Sequence, residues 1–91
     1  MPKYVIESDI PGVGSLSTAE LRAAAQHSVS VLNEMGPAIQ WIQSYVTADK
    51  LYAVCAALDE KTVWEYVRQI GIPANRVLPV TMIIDPTTAE K

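Results

Sequence analysis

Three side chains of this sequence belong to types that commonly do catalytic chemistry: Glu65, His27 and Cys55. A carboxylate such as Glu65 acts as a general base when apolar surroundings, here the adjacent Trp64, raise its pKa. His27 is the only imidazole of the chain and is the other candidate base. Cys55 acts as a nucleophile if a nearby base gives it thiolate character. Because solvated helical glutamates and inert packed thiols are commoner, the residues leave enzymatic activity as a hypothesis.

A second set of residues combines small side chains with large apolar ones. Ala53 and Cys55 recur on one predicted strand, and bulky rings stand elsewhere in the chain. This composition is typical of an apolar cavity that buries a small ligand and orients it through a few polar groups. The alternative is a repacked core, in which the rings fill the volume that the small residues vacate. The predicted ligand-binding residues are Trp41, Tyr45, Ala53, Cys55, Trp64, Tyr66, Ile70 and Met82, with Tyr45, Tyr52, Gln43, Ser28 and His27 as candidates for the polar groups.

Length and composition exclude several classes of function. The 91 residues predict one domain, and 49% of them are hydrophobic, which is enough for a globular core. The net charge of −3 and the lack of a basic cluster interleaved with aromatics argue against nucleic-acid binding. No stretch of about 18 apolar residues and no charged-then-apolar leader occurs, so we expect no membrane association and a cytoplasmic location. A single cysteine excludes an intramolecular disulfide and a multi-cysteine metal centre.

Capping residues and helical spacing predict two helices. The first begins after Ser17, where Glu20 completes a capping box, and runs to about Met35. The second begins after Asp59 and is closed by Gly71. The predicted buried stripe of the first helix consists of Leu21, Ala24, Ala25, Ser28, Val31, Leu32 and Met35.

Four strands are predicted around these helices. Their expected ranges are Met1–Ser8, Ile39–Val46, Leu51–Ala57 and Val80–Asp85. Pro79 at the start of the last strand indicates a sheet edge, because proline cannot donate to a ladder. The order βαββαβ predicts an α+β, ferredoxin-like domain with a four-stranded antiparallel sheet. Right-handed crossovers then place both helices on one face.

Apolar residues occupy both odd and even positions of the predicted strands, so both faces of the sheet carry them. In the second strand we expect Trp41 and Tyr45 on one face and Ile42 and Val46 on the other. A sheet with one solvated face should instead alternate apolar and polar residues. The face without helices therefore needs a cover, and we expect a homodimer through the sheets, a ligand, or both. The simpler alternative is that these strands belong to an ordinary core and that their apolar and polar residues alternate only weakly.

Four stretches of the chain read PKYVIESDIPG, IQWIQSYVTADKLY, GIPANRV and IIDPTT. They resemble a family of small bacterial ferredoxin-like proteins of unknown function that includes nickel-binding members. The resemblance extends over nearly the whole chain. It implies a ferredoxin-like fold, dimerisation through the sheets and binding of a transition metal such as nickel.

The sequence departs from that family pattern at two potential metal ligands. Ala53 stands at the position where the family usually has a cysteine, and Tyr66 stands where it usually has a histidine. Since thiolate and imidazole are ligands that nickel, copper and zinc prefer, these changes leave His27 as the remaining candidate metal ligand and weaken the metal hypothesis. No other cofactor is expected. The changed positions become apolar or aromatic, which suits a pocket reshaped for a new ligand or reaction by natural divergence or by engineering.

The leading hypothesis is a homodimer that binds a small apolar or aromatic molecule. An enzyme that uses the same pocket, with a carboxylate or His27 as base, is the first alternative. A nickel-binding protein is the second.

Overall fold

Four antiparallel strands form one sheet in the computed structural model, which describes residues 1–90. The spatial order is β2-β3-β1-β4, so that β2 and β4 are the edges. This is the ferredoxin-like arrangement that the sequence predicts. The strands are β1 (Lys3–Asp9), β2 (Ile39–Val46), β3 (Lys50–Ala57) and β4 (Arg76–Pro79), and the helices are α1 (Thr18–Met35) and α2 (Glu60–Ile70).

Local side-chain hydrogen bonds begin both helices where the sequence predicts. Ser17 Oγ accepts from the backbone N–H of Glu20 at 3.1 Å, and Glu20 Oε1 accepts from the backbone N–H of Ser17 at 3.0 Å. These reciprocal bonds satisfy two donors that the first turn of a helix leaves free. Asp59 Oδ1 accepts from the backbone N–H of Thr62 at 2.8 Å and begins α2 in the same way. Gly71 ends α2 with φ 76°, a left-handed conformation that glycine adopts without steric cost.

The last strand lies at Arg76–Pro79, and the prediction of Val80–Asp85 is wrong. Asn75 anchors the start of β4 because its backbone N–H donates to Glu7 O at 2.8 Å. Its side chain Oδ1 also accepts from a backbone N–H of β1 at 2.7 Å. Pairing with β1 therefore begins directly after this residue, although the following segment has the stronger β-propensity. The predicted edge position is confirmed, with Pro79 at the end of the strand rather than at its start.

A β-bulge between Trp41 and Gln43 changes which residues of β2 share a face. Trp41 pairs with a buried residue of β3, whereas Tyr45 pairs with Tyr52 on the face that carries no helix. One extra residue inverts the alternation beyond the bulge. The prediction that Trp41 and Tyr45 share a face is therefore wrong, and Val46 joins Trp41 on the helix-covered side.

The hydrophobic core lies between the sheet and the two helices. Ile6 of β1 and Val63 of α2 are completely buried there. The helices contribute unequally, since α2 buries four residues and α1 buries Val31 alone. Ile70, at the end of α2, and Val77 of β4 belong to the same buried cluster. The packing is thus dense under α2 and thin under the first half of α1.

Candidate functional site

A cavity of about 270 Å³ lies between the first half of α1, the sheet and the end of α2. For scale, an engineered apolar cavity of roughly 150 Å³ holds one benzene molecule. The lining contains no Asp, Glu, Lys, Arg or His. It consists of Ile6, Leu21, Ala24, Ala25, Ser28, Trp41, Ser44, Val46, Leu51, Ala53, Tyr66, Ile70 and Ile72.

Small side chains on two facing elements create this space. Ala25 and Ser28 of α1 lie across the cavity from Ala53 of β3. Further along α1, larger side chains such as Val31 and Leu32 pack on the core and fix the distance between helix and sheet. Since alanine and serine cannot span that distance, the volume beneath them stays unfilled.

Two hydroxyl-bearing pairs supply the polar groups of the lining. Trp41 Nε1 donates to Ser44 Oγ at 2.9 Å, so the indole N–H is satisfied by a neighbour on its own strand. Burial raises the pKa of the Tyr66 phenol, and a hydrogen bond with Ser28 opposes part of that rise. The phenol is therefore uncharged at neutral pH. All four polar side chains of the lining are neutral.

The cavity meets solvent beside the start of α1 and the end of β2. Leu21 is 38% exposed and Val46 is 41% exposed, although both also line the cavity. Ile6 at the opposite wall is fully buried. The opening of the cavity therefore lies beside Leu21 and Val46.

The structure brings four of the predicted ligand-binding residues together and places the other four outside this cavity. Trp41, Ala53, Tyr66 and Ile70 line it. Cys55 is fully buried in the core, and Tyr45 lies on the helix-free face with 56% exposure. Trp64 is 40% exposed on the outer side of α2, and Met82 is 76% exposed beyond β4.

The polar candidates divide in the same way, and one polar residue was missed. Ser28 lines the cavity, whereas Gln43 bonds to Tyr45 elsewhere on β2. Ser44 lines it without having been predicted, because only the bulge turns this residue toward the helices. The small residues of the helical stripe at Ala24 and Ala25 were the available sequence signal for the wall that α1 forms.

Glu65 does not have the raised pKa that the general-base hypothesis requires. Hydrogen bonds from Arg68 and then Gln69 lower the pKa of this carboxyl to about 2. The donor–acceptor distances are 3.1 Å from Arg68 Nε and 2.8 Å from Gln69 Nε2. Glu65 lies in a shallow depression between α2 and the end of α1, apart from the apolar cavity. The expected environment, an apolar pocket beside Trp64, is wrong because α2 turns both side chains away from the core.

The environments of Cys55 and His27 do not support nucleophilic catalysis. Burial raises the pKa of the Cys55 thiol to about 11, so the thiolate is scarce at neutral pH. His27 is exposed on α1 and is not part of the cavity lining. Cys55 therefore has the environment of a packed, protonated thiol.

The donor set for a metal ion is poor in the described part of the chain. Among residues 1–90, no three His, Cys, Asp or Glu side chains come close enough to hold a metal ion together. Ala53 and Tyr66, where the resemblance implies a cysteine and a histidine, both line the apolar cavity instead. No described helix is long and apolar enough to cross a membrane.

Fold and cavity together define a ferredoxin-like α+β domain with an uncharged apolar cavity under its first helix. Residues 4–80 match the family described as nickel responsive protein SCO4226-like, and the chain belongs to that family. The predicted family and fold are confirmed.

One solved structure gives an independent view of the fold. The crystal structure of SCO4226 from Streptomyces coelicolor A3(2) aligns with a TM-score of 0.74 over 90% of this chain and 99% of that chain. The two sequences are 13% identical over the alignment, so this likeness concerns the fold alone. No curated protein is significantly similar to the chain in sequence.

Proposed function

We propose that this chain is a homodimeric binding protein that holds a small apolar or aromatic molecule in the cavity under α1. The observation that carries the proposal is the cavity itself, about 270 Å³ in volume and free of charged side chains in its lining. Binding sites for small molecules are concave, largely apolar and equipped with a few polar groups that fix orientation. The walls formed by Trp41, Tyr66 and Ala53 have this character.

Ligand binding would replace contacts that the protein lacks in this region. Atoms that face an empty volume have no partners on one side and forfeit their dispersion energy. A ligand that fills the space restores those contacts and removes its own apolar surface from water. Partial exposure of Leu21 and Val46 provides the entry path.

Titration with a neutral fluorescent probe of two fused rings, 1-aminonaphthalene, tests this function. We expect saturable binding at one site per chain, with a change in the signal of Trp41. Ala53→Leu should abolish binding by filling the cavity, while Ala23→Leu, at an exposed position of α1 outside the lining, should leave it intact. Binding that is unaffected by Ala53→Leu would place the probe elsewhere and refute the proposal.

The proposed dimer uses the face of the sheet that carries no helix. A row of apolar side chains crosses three strands there, since Val54 and Leu78 both pair with Val5 in the register. Leu78 is 46% exposed. An ion-paired row lies beside it, in which Glu7 contacts Lys50 and Arg76, each at 3.8 Å. A second copy related by a two-fold axis can cover an apolar row with the same row.

Sedimentation equilibrium of two matched variants tests the dimer. Leu78→Glu places a charge in the apolar row, and we expect it to yield a monomer because an unpaired charge would be desolvated. Val29→Glu makes the same change at a residue of α1 that is also 46% exposed, and should leave the dimer unchanged. If the unmodified chain sediments as a monomer, the proposed dimer is wrong.

Nickel binding is the second candidate, favoured by the description of the family as nickel responsive. His27 is the candidate ligand that remains in the chain. Calorimetric titration with nickel chloride, repeated with His27→Ala, separates a site from adventitious binding. An affinity no higher than that of an ordinary surface histidine would exclude it.

A further inference from the structure

The polar groups of the cavity restrict the chemistry of its ligand beyond size and apolarity. Ser44 Oγ already accepts from Trp41 Nε1, and within residues 1–90 its own O–H has no protein acceptor. A serine hydroxyl carries one proton and two lone pairs, so this O–H remains available to a ligand. Ser44 therefore presents a hydrogen-bond donor at the cavity wall that the protein itself does not use.

The opposite side of the cavity presents a similar neutral pair. Tyr66 of α2 and Ser28 of α1 both line the cavity, and both carry a neutral hydroxyl. Each hydroxyl has one proton that it can donate. The cavity thus offers O–H donors but no cation that could neutralise an anion, and no anion that could neutralise a cation.

Because the lining carries no charge, we expect the cavity to prefer neutral ligands over charged ones. Moving an ionised carboxylate or ammonium from water into apolar surroundings without a partner costs far more than moving a neutral polar group. A neutral carbonyl, in contrast, can accept from an O–H in its ordinary geometry. Its two lone pairs need donors and no counter-ion.

Resting on the proposed function, we propose that the ligand is an uncharged molecule of about two fused rings whose carbonyl oxygen accepts a hydrogen bond from Ser44. The size follows from the cavity of about 270 Å³, less than twice the roughly 150 Å³ that accommodates benzene. Trp41 lies beside Ser44 in the wall and stacks with a planar ring held there. Ser44 is a binding residue that sets ligand class, since it discriminates oxygen acceptors from plain hydrocarbons.

Three naphthalene derivatives test the inference on the unmodified chain. Naphthalene has no polar group, 2-acetylnaphthalene adds a neutral carbonyl, and 2-naphthoate replaces the methyl group of that ketone by a charged oxygen at equal size. Binding is followed through the indole N–H signal of Trp41 in NMR titrations, with the exposed Trp64 as an internal reference. We expect the ketone to bind roughly 3- to 10-fold more tightly than naphthalene, as one hydrogen bond allows. The carboxylate should bind about 100-fold more weakly than the ketone at neutral pH.

Ser44→Ala then assigns the preference to one residue. The variant should bind naphthalene as before and lose the preference for the ketone, whereas Ser30→Ala, at an exposed position on α1, should retain it. Equal binding of ketone and carboxylate overturns the charge selectivity, and a ketone preference that survives Ser44→Ala overturns the role of Ser44. Either result leaves the proposed function standing. Failure of all three compounds to bind would remove the proposed function as well.

Discussion

The two helices lie on the same face of one sheet but differ in what lies beneath them. Helix α1 has 18 residues and buries only Val31, whereas α2 has 11 residues and buries four. Side-chain size accounts for the difference. The buried residues of α2 are Val63, Tyr66, Val67 and Ile70, while the first half of α1 presents mainly alanines and Ser28. The same helical periodicity therefore produces a packed core under one helix and a cavity under the other.

This contrast places the residues that stabilise the fold apart from those of the proposed binding site. We expect the dense packing under α2 to account for most of the free energy of unfolding that the helices contribute. The first half of α1 forms one wall of the cavity, and it contributes little to the buried core. Equivalent substitutions on α1 and α2 should therefore change the stability of the fold by different amounts.

Truncation of one apolar side chain on each helix should give the largest difference. Val63→Ala on α2 removes methyl groups from a completely buried position, and we expect a loss of roughly 2–3 kcal/mol in the free energy of unfolding. Leu21→Ala on α1 removes more atoms from a position that is 38% exposed, and we expect less than about 1 kcal/mol. Urea denaturation measures both. Equal losses would mean that α1 contributes to the core as α2 does.

Enlargement of two alanines on the same face of β3 should give the next largest effect. Ala57 is completely buried under the packed region, so Ala57→Leu should destabilise the fold by roughly 1–3 kcal/mol. Ala53 lines the cavity, so Ala53→Leu should be neutral or stabilising in the absence of ligand. Thermal unfolding of the two variants compares them directly. If Ala53→Leu destabilises the fold as much as Ala57→Leu does, the cavity beside Ala53 does not have room for a leucine side chain.

Loss of the N-cap of α1 should have a smaller and more local effect. Ser17→Ala removes the side-chain acceptor for the N–H of Glu20, worth about 1 kcal/mol in helix stability. Because the first half of α1 packs weakly, we expect faster amide hydrogen exchange there and little change in α2. Weaker binding of 1-aminonaphthalene should accompany the fraying. Faster exchange in α2 as well would show that the two helices unfold as one unit.

The acid dependence of α2 should give the smallest effect. The pKa of Glu65 is lowered from 4.5 to about 2 by Arg68 and Gln69. This interaction stabilises the fold above pH 4.5 and is lost as the pH falls toward about 2, because the carboxylate is then protonated in the folded state too. The melting temperature of the unmodified chain should therefore fall more steeply over this window than that of Glu65→Gln. Glu34→Gln, on an exposed part of α1, controls for the change in net charge, and equal slopes for all three proteins would contradict the assignment.

Local signals in the sequence determined the elements and their order. The capping box at Ser17, the cap at Asp59 and the glycine after Ile70 are side-chain and backbone effects that act within a few residues, so the sequence predicted the helices closely. The ranges of β2 and β3 were predicted to within one residue for similar reasons. With the order βαββαβ, chain connectivity then leaves few topologies, and the ferredoxin-like fold follows.

Tertiary structure decided which residues meet. The bulge at Trp41 reversed the faces of Ser44 and Tyr45, and the anchor at Asn75 moved β4 upstream of the segment with the strongest β-propensity. Neither depends on residue type alone, because strand register is set by the partner strand and its hydrogen bonds. Whether small side chains leave a cavity or a repacked core depends on how far apart larger residues elsewhere hold the helix and the sheet. That distance is a property of the whole packed structure, whereas the pattern of small and large side chains can be read from the sequence.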